Sequence, residues 1–200
     1  MKADEGSRAI QLCYGLIMVD PEVRWANSDD AREVAVVHVD SWRAAYPGLI
    51  DQPVLDALDV DERANGWSRW LASSLSGEQT DDSLSEPHRM LVAESDGHVV
   101  GWATFGAGRD QGAAHHGELA GLYVHPDHWS ARIGHALLAR VERELVAGGW
   151  AEAYLWVLRG NVRAACFYER HGWAADGVEK IVEGGGSAKL TESRRVRRLG

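Results

Sequence analysis

The spacing of apolar residues predicts helices in the first third of the chain. A short strand is expected over Glu22 to Ala26. Beyond it, apolar residues recur every three or four positions from Val34 to Ala45, which is the period of an amphipathic helix. Pro47-Gly48 ends this helix because proline cannot continue it. Residues 53–75 predict one or two further helices.

The pattern then changes to strands that alternate with helices. Asp96-Gly97 separates two apolar runs, Met90 to Ser95 and Val99 to Phe105, and is typical of the tight turn of a β-hairpin. The segment from Ile133 to Ala147 carries an apolar stripe at helical spacing. The other expected elements are strands at Glu118 to Val124, Ala153 to Leu158, Trp173 to Val182 and Lys189 to Leu199, and a short helix that Asn161 caps and that ends at His171-Gly172. This order predicts an α/β (α+β) fold in which a mixed central sheet of about six to seven strands has helices on both faces.

The chain is expected to consist of a short N-terminal extension and one domain. Its 200 residues suit a single hydrophobic core. Residues 1–18 are interpreted as an extension that is either disordered or an over-long gene start, with Met18 as the native start, and residues 19–200 as the domain. The apolar run from Ala9 to Val19 is too short to span a bilayer, and the acidic residues before it do not suit a signal peptide. A cytoplasmic location is therefore expected.

Composition and charge exclude several classes of protein. Two cysteines, Cys13 and Cys166, are too few for a disulfide scaffold or a four-cysteine zinc site, and no metal is expected. The net charge of −9 argues against binding to nucleic acid or to an anionic membrane. Residues 1–130 carry 9 basic and 22 acidic side chains, whereas residues 131–200 carry 12 basic and 8 acidic ones. This division suggests two surfaces with partners of opposite charge.

The connection between the strand that ends at Val124 and the helix that begins at Ile133 is the candidate site for chemistry. The first amides of a helix lack intrahelical acceptors, and the helix dipole adds partial positive charge there. A strand, a short loop and a helix in this order form a natural phosphate site. The chain has neither the Gly-Lys-Ser of a nucleotide P-loop nor the Gly-x-Gly-x-x-Gly of a dinucleotide fold.

Two ordered motifs resemble the signatures of the GCN5-related N-acetyltransferase (GNAT) superfamily. The first, Trp129-Ser130-Ala131-Arg132-Ile133-Gly134, lies where the superfamily has Gln/Arg-x-x-Gly-x-Gly/Ala, whose amides bind the pyrophosphate of acetyl-CoA. The segment from Asp40 to Ile50 is also similar to one branch, and the resemblance covers nearly all of residues 21–199. The second motif is Asn-x-x-Ala-x-x-Phe-Tyr-Glu-x-x-Gly-Phe, matched by Asn161, Ala164, Phe167, Tyr168, Glu169, Gly172 and Trp173.

The resemblance implies that acetyl-CoA is the co-substrate and which residues hold it. They belong to the end of the central strand, the following loop and first helical turn, and the second motif: Leu122, Tyr123, Val124, Trp129, Ser130, Ala131, Arg132, Ile133, Gly134, His135, Asn161, Ala164 and Phe167. The backbone amides of Leu122 to Val124 are expected to meet the thioester carbonyl in the manner of an oxyanion hole.

Two residues depart from the first motif. Trp129 stands where the superfamily has Gln or Arg, and Arg132 replaces a glycine of the loop. A side chain at a position that requires a left-handed conformation costs about 1–2 kcal/mol. The Arg132 guanidinium can offset this cost by pairing with a phosphate, and the alternative is a damaged CoA site.

The resemblance also implies roles in catalysis. Tyr168 is expected to protonate the departing thiolate, and Glu118 is the candidate base for the amine. The structural alternatives are a core tyrosine and a solvent-facing glutamate at a strand end. The other candidate proton carriers are four histidines near the same strand, His115, His116, His125 and His128.

Three further residues lie in segments that the resemblance brings near the site: Trp42, Tyr46 and Cys166. Trp42 and Tyr46 share a helix face by their spacing and are expected to border the acceptor pocket, with core packing as the alternative. Cys166 is interpreted as a small buried residue of its helix and not as a nucleophile.

The sequence therefore predicts an acetyl-CoA-dependent N-acetyltransferase that acts on a primary amine. The acidic N-terminal half favours a cationic small molecule or peptide as the acceptor. The alternative is a non-catalytic acyl-CoA-binding or regulatory domain of the same fold, because Arg132 interrupts the loop. Neither nucleic acid nor membrane is expected as a partner, and a homodimer is left open.

Overall fold

One mixed β-sheet with helices on both faces forms the protein, as the sequence predicts. The computed structural model describes residues 21–78, 87–183 and 189–200, so the predicted extension over residues 1–18 lies outside the described residues. The strands are β1 (Glu22–Trp25), β2 (Arg89–Ser95), β3 (His98–Ala107), β4 (Gly117–Val124), β5 (Glu152–Leu158), β6 (Ala174–Glu183) and β7 (Lys189–Arg198). The helices are α1 (Ala31–Ala45), α2 (Gln52–Asp56), α3 (Val60–Ser76), α4 (Ile133–Ala147) and α5 (Val162–Arg170).

The strand order in the sheet is β1-β2-β3-β4-β5-β7-β6. Every neighbouring pair is antiparallel except β4 and β5, which are parallel. The β2–β3 hairpin turns at Asp96 and Gly97, whose φ angles of 52° and 78° are both left-handed, as the Asp-Gly pair predicts.

The two faces of the sheet carry two separate apolar clusters. On one face, Val34 and Val37 of α1 pack with Leu71 of α3 against strand residues that include Trp102. On the other face, α4 supplies its apolar stripe, and α5 packs beside it through Ala164, Ala165, Phe167 and Tyr168. Successive residues of β2 face opposite clusters, since Leu91 belongs to the α4 side and Val92 to the α1 side. None of the helices in the described ranges is long and apolar enough to cross a membrane.

The basic strand β7 lies inside the sheet, between β5 and β6. Arginines that alternate with apolar residues in the last strand, as they do around Val196 and Leu199, favour a solvated edge of the sheet, and the structure shows that this interpretation is wrong. Arg195 is only 6% exposed and pairs with Glu169 at 3.0 Å. The other arginines of the run also have carboxylate partners: Arg194 pairs with Asp176, Arg197 with Glu142 and Arg198 with Glu152.

The parallel pair β4–β5 holds together over only three positions. Gly117 to Leu119 pairs with Ala153 to Leu155. Beyond these residues β4 continues to Val124 and β5 to Leu158 without pairing with each other. At the same point the β3–β4 register shifts, because Ala120 is an extra residue that bulges out of the ladder. A cleft therefore opens in the middle of the sheet, between β4 and β5.

Truncating Leu137 should test the packing of α4 on the sheet. Leu137 is fully buried, so Leu137→Ala should lower the free energy of unfolding by about 2–5 kcal/mol, the usual cost of such a cavity. Val146 on the same helix is 48% exposed, so Val146→Ala should change it by no more than about 0.5 kcal/mol. Denaturant titration measures both, and equal losses would contradict this orientation of α4.

Candidate active site

The cleft between β4 and β5 has a volume of about 1030 Å³. Its walls come from β4, β5, the first turn of α4, and the helices α1, α2 and α5. All the residues that the resemblance assigns to CoA line it, with the exception of Ala131. The proposed acid Tyr168, the proposed base Glu118, and the acceptor candidates Trp42 and Tyr46 line it as well. The folded chain thus brings residues from four distant segments to one cavity.

The loop before α4 has an unusual backbone that leaves several amides without acceptors. Ser130 and Arg132 adopt left-handed φ angles of 67° and 64°. Arg132 is the N-cap of α4 and gives no side-chain cap, and the amides of Ile133, Gly134 and His135 have no acceptor among the described residues. The left-handed conformation at Arg132 agrees with the strain expected from its sequence position, whereas the motif does not predict that of Ser130. A cluster of free amides at a helix start is suited to an anion.

Trp129 connects this loop to both walls of the cleft. Its indole Nε1–H donates to the Val124 carbonyl at 2.8 Å, and the Arg163 guanidinium lies 3.9 Å from the centre of its ring. The large side chain therefore fastens the loop to the end of β4 and to α5. Sequence reasoning missed Arg163, whose only signal was its position two residues after Asn161 at the start of α5.

Helix α5 places Tyr168 deep in the cleft. Asn161 caps this helix by accepting from the Ala164 amide at 3.0 Å. Tyr168 is 8% exposed, and its hydroxyl has no hydrogen-bond partner in the described part of the chain. Burial, together with the nearby Tyr46, raises the pKa of the Tyr168 hydroxyl. The hydroxyl therefore stays protonated at neutral pH and available as a donor.

Cys166 is exposed and lines the cleft, so its interpretation as a buried residue is wrong. The buried face of α5 contains Ala164, Ala165 and Tyr168, which are three and four positions apart. Cys166 lies two positions from Tyr168, which is about 200° around a helix and therefore on the opposite face.

Glu118 lies at the narrow end of the cleft, where β4 and β5 still pair. It is only 2% exposed, which rules out the solvent-facing alternative. Its Oε1 accepts from Arg109 Nη2 at 2.7 Å, and its Oε2 accepts from Arg109 Nε at 3.0 Å and from the Tyr154 hydroxyl at 3.1 Å. Burial raises the pKa of this carboxyl. The hydrogen bonds and charge of Arg109 together outweigh burial, so that the pKa falls below its usual value. Such a carboxylate is a weak base.

The four histidines form two pairs at opposite ends of β4. His115 and His116 lie before the strand, with ring centres 4.0 Å apart, and His116 faces Glu152 at 3.4 Å. His125 and His128 follow it, and His125 Nε2 lies 3.2 Å from Asp40. Only His128 of the four lines the cleft. Within the described ranges, no group of three or more His, Cys, Asp or Glu side chains is arranged to hold a metal ion.

Trp42 and Tyr46 border the cleft together, with ring centres 5.2 Å apart. The Tyr46 hydroxyl lies 3.5 Å from that of Tyr123. Burial raises the pKa of Tyr46, so that this hydroxyl also remains protonated at neutral pH. The wall on this side is therefore aromatic, with hydroxyl groups directed towards β4.

Comparison with known proteins identifies the class of enzyme. Residues 55–173 match the model of the acetyltransferase (GNAT) family. The chain is 31% identical over 150 residues to the uncharacterized N-acetyltransferase YuaI of Bacillus subtilis (strain 168), and the match covers 74% of this chain and 78% of the relative. The protein belongs to the GNAT family and is an N-acetyltransferase.

Solved structures of other acetyltransferases share the fold. The PaiA N-acetyltransferase from Thermoplasma acidophilum, in complex with coenzyme A, matches with a TM-score of 0.68 at 20% identity, over 89% of this chain and 98% of that one. YncA from Salmonella typhimurium, with its cofactor acetyl-CoA, matches with a TM-score of 0.62 at 22% identity, over 90% and 94% of the two chains.

The backbone of the loop can be tested by comparing two variants at Arg132. Arg132→Gly should have a free energy of unfolding about 1 kcal/mol higher than Arg132→Ala, because glycine adopts a φ of 64° without a Cβ contact. Both variants lose the same guanidinium, so their difference in denaturant titrations reports the backbone alone. A more stable alanine variant would contradict the left-handed conformation.

Proposed function

We propose that the protein transfers the acetyl group of acetyl-CoA to a primary amine. The observation that carries this proposal is the set of free amides at the start of α4, at the mouth of the gap between β4 and β5. Acetyl-CoA, when bound, supplies an activated thioester and a pyrophosphate. The free amides would hold the pyrophosphate, and the unpaired edge of β4 beyond Leu119 offers backbone amides to the thioester carbonyl.

The charges around the loop support a polyanionic co-substrate. Arg132, Arg163 and Arg170 line the cleft, and no carboxylate of α4 or α5 does so. Coenzyme A and acetyl-CoA are bound by the PaiA and YncA proteins described above, which share this fold. Arg132 therefore favours an intact site, in which its guanidinium pairs with a phosphate, over a damaged one.

Arg132→Gln should weaken acetyl-CoA binding on the order of tenfold, because a charge-assisted hydrogen bond to phosphate is lost. The matched control is Arg143→Gln, since Arg143 is an exposed arginine of α4 that does not line the cleft. Isothermal titration calorimetry measures both affinities. Equal affinities would contradict the phosphate contact, and absence of binding by the unaltered protein at millimolar acetyl-CoA would contradict the proposal itself.

Tyr168 is the proposed acid for the departing thiolate. Its protonated and unpartnered hydroxyl suits donation, although its raised pKa makes it a hydrogen-bond donor to sulfur and not a strong acid. Burial therefore raises the pKa of the Tyr168 hydroxyl further above the thiol pKa of about 8.5. Proton transfer then depends on contact with the sulfur in the transition state.

Tyr168→Phe should lower turnover on the order of 10²-fold or more while acetyl-CoA affinity changes little, because the lost hydroxyl acts only on the leaving group. Tyr46→Phe serves as the comparison, since Tyr46 borders the acceptor side and its loss should raise KM for the amine. Thiol release with a panel of amines gives kcat and KM. Loss of turnover in Tyr46→Phe alone would transfer the acid role to Tyr46.

The contacts of Glu118 favour a positioning role over that of the predicted base. Both carboxylate oxygens already accept hydrogen bonds, and the lowered pKa opposes proton uptake. The carboxylate joins the loop residue Arg109 to Tyr154 of β5 at the point where the two central strands part. It therefore fixes the narrow end of the cleft.

Glu118→Gln should lower stability in a pH-dependent way. Because the folded-state pKa is depressed, the stabilisation by Glu118 is complete above its unfolded pKa of about 4.3 and is lost as the pH falls through the lower folded value. Unfolding titrations between neutral and acidic pH measure this difference from the unaltered protein. Loss of the acidic limb of the pH profile of kcat/KM in Glu118→Gln, with stability unchanged, would restore the base role.

The alternative is a non-catalytic acyl-CoA-binding domain of this fold. Acetyl-CoA binding without thiol release in the presence of any amine, cationic or neutral, would favour that alternative. The acidic N-terminal half predicts a cationic small molecule or peptide as the acceptor, and cationic amines in the same panel test that prediction.

A further inference from the structure

A second cavity of about 250 Å³ adjoins the acceptor side of the cleft. Aromatic side chains of α1, α3, β3 and β4 line it, and we name it the aromatic pocket: His38, Trp42, Trp67, Trp70, Trp102 and Tyr123. Trp42 and Tyr123 line the main cleft as well, so the two cavities share a wall. The aromatic pocket therefore lies directly beside the acceptor side of the cleft.

His38 is buried in this pocket as a neutral imidazole. It is 7% exposed, and its Nδ1 accepts from the indole Nε1–H of Trp67 at 3.2 Å. The ring proton must therefore reside on Nε2, which is buried and has no hydrogen-bond partner among the described residues. Burial and the charge of Arg63 lower the pKa of His38 to about 3, so the ring stays neutral.

Two indole N–H groups beside His38 are likewise buried without a hydrogen-bond acceptor among the described residues. The Nε1–H groups of Trp42 and Trp102 are buried without a partner in the described part of the chain. Their ring centres lie 5.2 Å and 5.6 Å from that of His38. Three buried N–H donors without acceptors in the described ranges thus belong to side chains that line one small cavity. Buried donors without acceptors are unfavourable and rare in folded proteins, so their concentration here indicates that a ligand supplies the acceptors.

The surrounding charges favour an anionic acceptor group. Aromatic pockets also bind cations through ring faces, but a buried cation needs a counter-charge. No carboxylate among the described residues lines the aromatic pocket, and the charge of Arg109, which does line it, is paired with Glu118. Arg63 lines the adjoining cleft, and its side chain makes no ion pair in the described ranges.

We propose that the amine acceptor carries a carboxylate, as an amino acid does, and that the aromatic pocket together with Arg63 binds the carboxylate-bearing part. The N–H groups of His38, Trp42 and Trp102 donate to its oxygens, and Arg63 supplies the positive charge. This inference rests on the proposed N-acetyltransferase function and names the substrate class. It differs from the cationic acceptor that the net charge of the N-terminal half predicted.

The first test compares amines that differ only at the carboxylate. Phenylalanine, phenylalanine amide and phenethylamine, and the corresponding leucine series, are assayed by thiol release, with spermidine as the cationic arm. The free amino acids should have the highest kcat/KM in each series. A preference for the amides, the decarboxylated amines or spermidine would overturn the inference and leave the N-acetyltransferase proposal intact.

The second test assigns the carboxylate to Arg63. Arg63→Gln should raise KM for the amino acids on the order of tenfold and leave kcat/KM for phenethylamine unchanged. Arg69→Gln is the matched control, because Arg69 is an exposed arginine of the same helix that lines neither cavity. Equal effects on the acid and on the decarboxylated amine would contradict a contact with the carboxylate.

A third measurement does not depend on turnover. Binding of phenylalanine to the protein with coenzyme A present should change tryptophan fluorescence, because the pocket contains four tryptophans. This change should weaken in Arg63→Gln and persist in Arg69→Gln. Fluorescence binding without thiol release from any amine would support the ligand class and overturn the catalytic proposal. If phenylalanine neither binds nor is preferred over its amide and phenethylamine, the inference is overturned.

Discussion

The site depends on the short parallel contact between β4 and β5. Two strands in the middle of a sheet normally pair along their whole length, because unpaired backbone groups are costly when they are buried. Here the ladder ends after three positions, and β5 keeps its place through seven antiparallel pairs with β7 on its other edge. The antiparallel return of β7 therefore compensates for the pairs that β5 does not make with β4. Without it, the cleft would have no second wall.

The loop before α4 shows how local strain is retained at such a site. Ser130 and Arg132 both adopt conformations that glycine would adopt more easily. The contacts of Trp129 with the Val124 carbonyl and with Arg163 hold the loop at both ends and fix this backbone. The first amides of α4, like those of any helix, have no intrahelical acceptor, and no side chain of the loop caps them. The loop therefore presents free helical amides even though Trp129 and Arg132 depart from the family motif.

Features set by local periodicity could be predicted from the sequence, and features set by long-range pairing could not. The bounds of α4, the Asp-Gly hairpin and the Asn161 cap follow from residues within one element, and all three agree with the structure. The central place of β7 depends on which strands pair, which the run of arginines does not encode. The Arg109 partner of Glu118 comes from a loop, and no spacing rule would have identified it. The two histidine pairs are close in sequence yet separated by the whole of β4.

Net charge along the sequence also differs from charge at the site. Residues 131–200 are basic, but the arginines of β7 are paired with carboxylates and do not line the cleft. Residues 1–130 are strongly acidic, yet of their described carboxylates only Glu118 lines it, and Glu118 is paired with Arg109. The remaining charge from this half of the chain at the cleft is Arg63. Folding therefore directs the other described carboxylates of this half away from the cleft, so the net charge of a sequence segment does not give the charge at the site.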